Sequence, residues 1–324
     1  MNDAGPLSRR NLLAAAATAP LAAAAAACRT ANPERLTGAE AAPVPKTGER
    51  EVSRVVRAVA TQEGAGVHLR RSLGGQALSV LDPFLLLDEI HSEHREDFVK
   101  GFPEHPHRGF ETVTYVIDGA MEHKDSLGNT GLLGPGAAQW MTAGHGIIHS
   151  EMPRSEKIMW GFQLWVNLAA KEKMKKPRYQ DIRPENIPEV SADGAKVRVV
   201  AGEIAGARGP VDGIAIAPRF FDVTLGRGQR LAHPLPRGHN AFVYVIEGDA
   251  LVGPGKTHAG SGDLAVLGPG EGALVTAATG TRFLLLAGQP IGEPVARYGP
   301  FVMNTDEELR QAVSDYRAGR LLGG

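Results

Sequence analysis

His105 to Gly119, HPHRGFETVTYVIDG, sets two imidazoles either side of a proline and then runs straight into alternating apolar residues. Its last five residues, YVIDG at 115–119, return as YVIEG at 244–248, and LGPG at 133–136 returns at 267–270. Two motifs repeating at a similar interval describe two homologous units. Alternating strands joined by glycine-rich turns are the pattern of small barrels, so the chain is expected to be all-β, with two tandem β-barrels.

The composition agrees with this. The chain has 324 residues, 43% of them hydrophobic, enough for two ordinary cores, and its 40 glycines and 22 prolines favour short strands and tight turns. Thirty-five basic residues nearly balance 36 acidic ones without a long run of either sign, so no nucleic-acid partner is expected. Small-molecule chemistry fits better.

Residues 1–28 read as an export leader. Arg9 and Arg10 precede an uncharged Ala/Leu stretch, as in a twin-arginine signal, and the stretch is too short for a comfortable membrane span. AAAC ending at Cys28 resembles a lipoprotein cleavage site, although Ala25 stands where leucine is preferred, so cleavage without lipid remains open. A periplasmic protein or an envelope lipoprotein is expected, touching the membrane only through a lipid on Cys28. Cys28 is the single cysteine, which excludes an intramolecular disulfide. Residues 29–50 read as a flexible linker, 51–175 as the first barrel, 176–290 as the second and 291–324 as a tail. In the tail, Thr305 and Glu308 form a capping box, and Leu309, Ala312, Val313 and Tyr316 share one face, predicting a helix over 306–318.

In a strand, side chains two apart share a face, so His105 and His107 project together while Pro106 points away. One such pair arises by chance in about every third chain with this many histidines. The H-x-E at His149 and Glu151 repeats the alternation and brings three imidazoles and a carboxylate within reach of one another. That donor set suits Fe(II), Mn(II), Ni(II) or Cu(II) with positions left for oxygen and substrate, whereas Zn(II) usually prefers a tetrahedral site. Aligning Arg108-Gly109 with Arg237-Gly238 sets Pro234 and Pro236 opposite His105 and His107. The LGPG anchor sets Phe283 and Leu285 opposite His149 and Glu151. On this register the second barrel holds no ligand, and one metal in the first barrel is expected.

The segments HPHRGFETV, QWMTAG, GFQLWVNL and GPFVMNT, with the H-x-E pair, resemble the pirin family of bicupins over nearly all of residues 51–318. The resemblance implies a bicupin fold, a single iron in the N-terminal barrel, and His105, His107, His149 and Glu151 as its ligands. It also implies one of two activities: ring opening of a flavonol or related aromatic with O2, as in quercetin 2,3-dioxygenase, or metal- and redox-responsive binding without turnover. The leader and His145, where pirins often carry arginine, depart from the pattern.

Other residues remain open at this stage. Glu111 follows His107 by four and on a continuous strand would share its face. It is thus a rival to Glu151, an orienter of an imidazole, or with Glu151 an acceptor of the substrate's hydroxyl proton. His145 reads as a loop histidine that could also reach the mouth, and His91 and His94 as surface residues. Trp140, Trp160 and Trp165 read as core or interface packing or as substrate walls. A monomer is expected.

Overall fold

The computed structural model describes residues 48–323; the expected export leader, Cys28 and nearly all of the expected linker lie outside the described residues. Each barrel pairs a seven-stranded antiparallel sheet with a four-stranded one. In the first barrel the large sheet runs Arg178–Ile182, Ala138–Thr142, Phe110–Asp118, Met159–Asn167, Phe84–Ser92, Val67–Leu73, Val59–Glu63. The small sheet runs Phe102–His107, Ile147–Pro153, Met121–Asp125, Thr130–Leu133. The second barrel repeats the plan, with Arg230–Pro234, Gly272–Ala277, Asp249–Val252 and Thr257–Gly260 as its small sheet.

The two halves exchange strands. Val52–Arg57, at the start of the expected first domain, pairs with Asp263–Leu267 of the second barrel. Arg178–Ile182, at the start of the expected second domain, pairs with Ala138–Thr142 of the first. The expected boundaries near 51 and 175 are therefore each crossed by one strand, because an exposed edge is satisfied by whichever strand reaches it, irrespective of chain order.

The large sheets face each other across a shared apolar layer that includes Val113, Tyr115, Trp140, Phe162, Phe220, Phe242, Tyr244 and Leu284. Strand alternation makes this possible. Along Phe110–Asp118, Val113 and Tyr115 point to the partner barrel, while Val116 packs into the interior of its own. The repeated tyrosines tie the layer together with matching contacts. Tyr115 donates to Asp222 at 2.6 Å, and Asp222 also takes two hydrogen bonds from Arg282. Tyr244 donates to Glu89 at 2.5 Å, and Glu89 also takes bonds from Arg70 and Trp160. Each acid is buried and is charge-paired, which offsets its desolvation.

The second barrel's interior is an apolar cluster of its own, including Val197, Phe221, Val243, Val275, Phe283 and Leu285. The tail helix spans Asp306–Arg317 and carries the expected capping box. It packs not on the second barrel that precedes it but on the first, where Leu309 and Ala312 join Phe301, Met303 and Leu321 against Ile148. No described helix is long and apolar enough to cross a membrane.

Candidate metal centre

Ile147–Pro153 is buried at alternate positions, which turns His149 and Glu151 inward. His149 lies directly across from His105 in the adjacent strand Phe102–His107, and a register shift then follows before Glu151 meets Phe102. His105, His107 and His149 come together so that one ring nitrogen of each lies within 4.8 Å of the others.

The hydrogen bonds of these rings fix which nitrogen is free. His105 Nδ1 lies 2.8 Å from the Pro103 carbonyl and His107 Nδ1 lies 3.3 Å from the Pro300 carbonyl. A carbonyl only accepts, so each Nδ1 carries the proton and each Nε2 presents a lone pair. Burial holds all three imidazoles below the usual histidine range, which keeps them neutral. The Nε2 atoms of His105 and His107 face each other at 3.1 Å. Two lone pairs at that distance repel. Two nitrogens each about 2.1 Å from one ion at a right angle would stand about 3.0 Å apart, so the residues fit a metal ion. His149 has no hydrogen-bond partner at either ring nitrogen, as expected of a side chain kept for a ligand.

Glu151 is buried on the same strand as His149, but its carboxylate lies outside the three-histidine group, and its oxygens accept from Thr114 Oγ1 and Gln163 Nε2, both at 2.9 Å. Burial pushes its carboxyl up to about 7, while these two hydrogen bonds pull the other way. Glu111 lies elsewhere. Its oxygens accept from Trp140 Nε1 and Thr142 Oγ1 at 3.0 and 2.7 Å, on the face turned toward the shared apolar layer. The i, i+4 relation to His107 fails because the strand is not continuous: Gly109, at φ 88°, turns the chain between Phe102–His107 and Phe110–Asp118. Glu111 orients no imidazole; the carbonyls of Pro103 and Pro300 do that.

His145 contributes its backbone to the fold, its carbonyl accepting from Arg108 Nε and its amide donating to Lys175. Its ring is outside the three-histidine group. His91 is exposed and stacks on Trp160 at 4.1 Å, and His94 is exposed next to a short 3-10 turn. Trp140 belongs to the shared layer, whereas Trp165 lies against the site, 5.3 Å from the His107 ring and 4.3 Å from Phe110.

Two contributions escape sequence reasoning. His123 is buried across from Glu151, 5.5 Å from the His149 ring, with both nitrogens unpartnered. Its only sequence signal is an H-x-D alternation in MEHKD. The other is the tail, which supplies the Pro300 carbonyl to His107 from 193 residues away.

The second barrel corrects the expected register. The counterpart of Ile147–Pro153 is Gly272–Ala277, the second strand of its small sheet, and not Thr281–Gly288, which carries Phe283 and Leu285. LGPG leads into Ala138–Thr142 in the first half but follows that strand's counterpart, Asp263–Leu267, in the second, so anchoring on it shifted the alignment by a strand. On the observed register His233 lies across from Ala273, as His105 lies across from His149. One histidine therefore survives in the second barrel, on a wall of Leu231, Leu235 and Val275.

Three inward imidazoles on the small sheet make the first unit a metal-binding cupin, and two such barrels in one chain make a bicupin. Residues 66–166 match the Pirin family model and residues 220–322 match the Pirin C-terminal cupin domain. A Pseudomonas aeruginosa protein with the provisional name quercetin 2,3-dioxygenase is 49% identical over 267 residues, 80% of this chain and 93% of that one. Human pirin is 45% identical over 260 residues, 79% of this chain and 88% of its own. The crystal structure of a quercetin 2,3-dioxygenase from Acinetobacter baumannii superposes with TM-score 0.78 at 34% identity, covering 86% of this chain and 99% of that one. The chain belongs to the pirin family.

Proposed function

We propose that the first barrel is an iron-dependent dioxygenase site that opens a flavonol or a related aromatic ring with O2. The observation that carries this reading is the pair of neutral imidazoles presenting lone pairs to each other at 3.1 Å, an arrangement that a cation relieves. Similarity to proteins named quercetin 2,3-dioxygenase supports the substrate class. Bound iron would supply Lewis acidity and a redox partner for O2. Mn, Ni, Cu or Zn could occupy the same donors.

The chain's own residues do the rest. His105, His107 and His149 hold the ion, and we assign Glu151 as the fourth ligand and as acceptor of the substrate's hydroxyl proton. Thr114 and Gln163 hold the carboxylate in place. Trp165 and Phe110 pack against the His107 ring and fix its place. We place the protein in the periplasm or envelope on the strength of its leader sequence, and cell fractionation of wild type and Cys28→Ala tests both export and lipidation.

Aerobic incubation of the iron-loaded protein with quercetin is expected to bleach the flavonol absorbance with equimolar oxygen uptake. A fully loaded protein that turns over no member of a flavonol panel overturns the dioxygenase reading and favours metal-responsive binding without turnover.

A further inference from the structure

The tail returns from the second barrel to the very turn that carries the ligands. Val302 N donates to the Arg108 carbonyl at 3.0 Å, and Arg108 Nη1 donates to Asp315 at 2.8 Å, with Nη2 reaching the Leu321 carbonyl at 3.3 Å. Lys173, buried under the tail, donates to the carbonyls of Gly109 and Val302 at 2.7 and 3.1 Å, and to Asn167 Oδ1 at 2.7 Å. Gly109 and Gly146 leave room for this approach. A Cβ at either would collide with a tail carbonyl oxygen, that of Val302 or that of Leu321. All of this holds the Pro300 carbonyl against His107 Nδ1.

We infer that residues 299–323 are a working part of the metal centre: through the Pro300 carbonyl they set the tautomer and orientation of His107, with Arg108 and Asp315 as the positioning residues. Without that acceptor the His107 proton is free to move to Nε2, which removes the lone pair from the site. The coupling is reciprocal, so an ion bound to the triad tightens the tail by the factor by which the tail tightens the ion. The inference rests on the metal part of the reading above and not on dioxygenase activity.

Asp315 is the residue to change, since its side chain is 17% exposed while that of Arg108 is 5% exposed, and a melting curve of the variant reads lost stability separately from metal affinity. The probe is Ni(II), titrated calorimetrically into metal-free protein without substrate or reductant. Asp315→Asn is expected to weaken Ni(II) binding roughly tenfold, within the range for losing support to a ligand. Asp315→Glu should recover most of the loss. Phe283→Leu, in the second barrel's interior, should lower the melting temperature and leave Ni(II) affinity unchanged. In wild type, Ni(II) should slow amide exchange across residues 299–323. Asp315→Asn binding as tightly as wild type, Phe283→Leu weakening binding equally, or exchange indifferent to Ni(II) would each overturn the inference. A wild type that binds no Ni(II) overturns the metal reading along with it.

Discussion

The two barrels share strand order, an interface tyrosine and a buried acid, and differ in what fills the small sheet's inner face. In the first, that face carries His105, His107, His123, His149 and Glu151; in the second it carries Leu231, His233, Leu235, Ala273 and Val275. The fold is satisfied by either filling. An apolar interior stabilises the second barrel by burial, about 25 cal/mol per Å² of apolar surface. The first gives up part of that term, since it buries neutral imidazoles and a carboxyl, with His123 and His149 without partners. Polar interior groups of this kind are retained for a ligand, and the comparison localises that ligand to one barrel.

The sharpest way to break the comparison is to remove an inward histidine from each side. His107→Ala should lower metal affinity by more than about 100-fold, beyond what loss of a supporting partner costs, while His233→Ala leaves metal content at wild-type level. Elemental analysis after dialysis reads both, and equal loss in the two variants would contradict the assignment to the first barrel. Gly109→Ala comes next. Positive φ and the collision with Val302 should destabilise by about 3 kcal/mol and free the tail, seen as a lower denaturation midpoint and faster exchange at 299–323.

The tyrosine pair tests the likeness of the two halves. Tyr115→Phe and Tyr244→Phe each delete a hydrogen bond to a carboxylate that keeps its arginine, about 1–2 kcal/mol, and Tyr115→Phe should cost more because its hydroxyl also accepts from Arg198 Nη1 at 3.2 Å. Equal costs by chemical denaturation would show that the Arg198 contact adds nothing to the interface. The last effect is a pH slope. Burial lowers His233 to about 4 from its usual 6.5, so below 6.5 the unfolded chain binds the extra proton. Stability present above pH 6.5 is therefore lost as pH falls toward 4. His233→Leu should flatten that part of the melting-temperature profile.

Much of this was legible in the sequence because it is local. The repeated Tyr-Val-Ile segments sit in central strands whose alternation is strict, and His105, Pro106 and His107 declare their face by spacing alone. The capping box of Thr305 and Glu308 is equally local. What was not legible depends on contacts between distant segments or on a single backbone turn. Glu111 changed face because Gly109 interrupts the alternation, and no count of residues reveals that. His233 was hidden because the Arg-Gly anchor is one residue out of register, which set Pro234 and not His233 opposite His105. His123 stands alone in its strand, and its neighbour Glu151 is 28 residues away in the chain. The support for His107 comes from a carbonyl, which has no side-chain identity to read.

The exchanged edge strand has a consequence for how the chain is made. Val52–Arg57 leaves the ribosome early, yet its partner Asp263–Leu267 emerges more than two hundred residues later. Until then one sheet edge has no mate, and closing so long a loop slows assembly. Neither half can finish before the other, so during synthesis this protein passes through an extended interval in which it depends on protection from its neighbours.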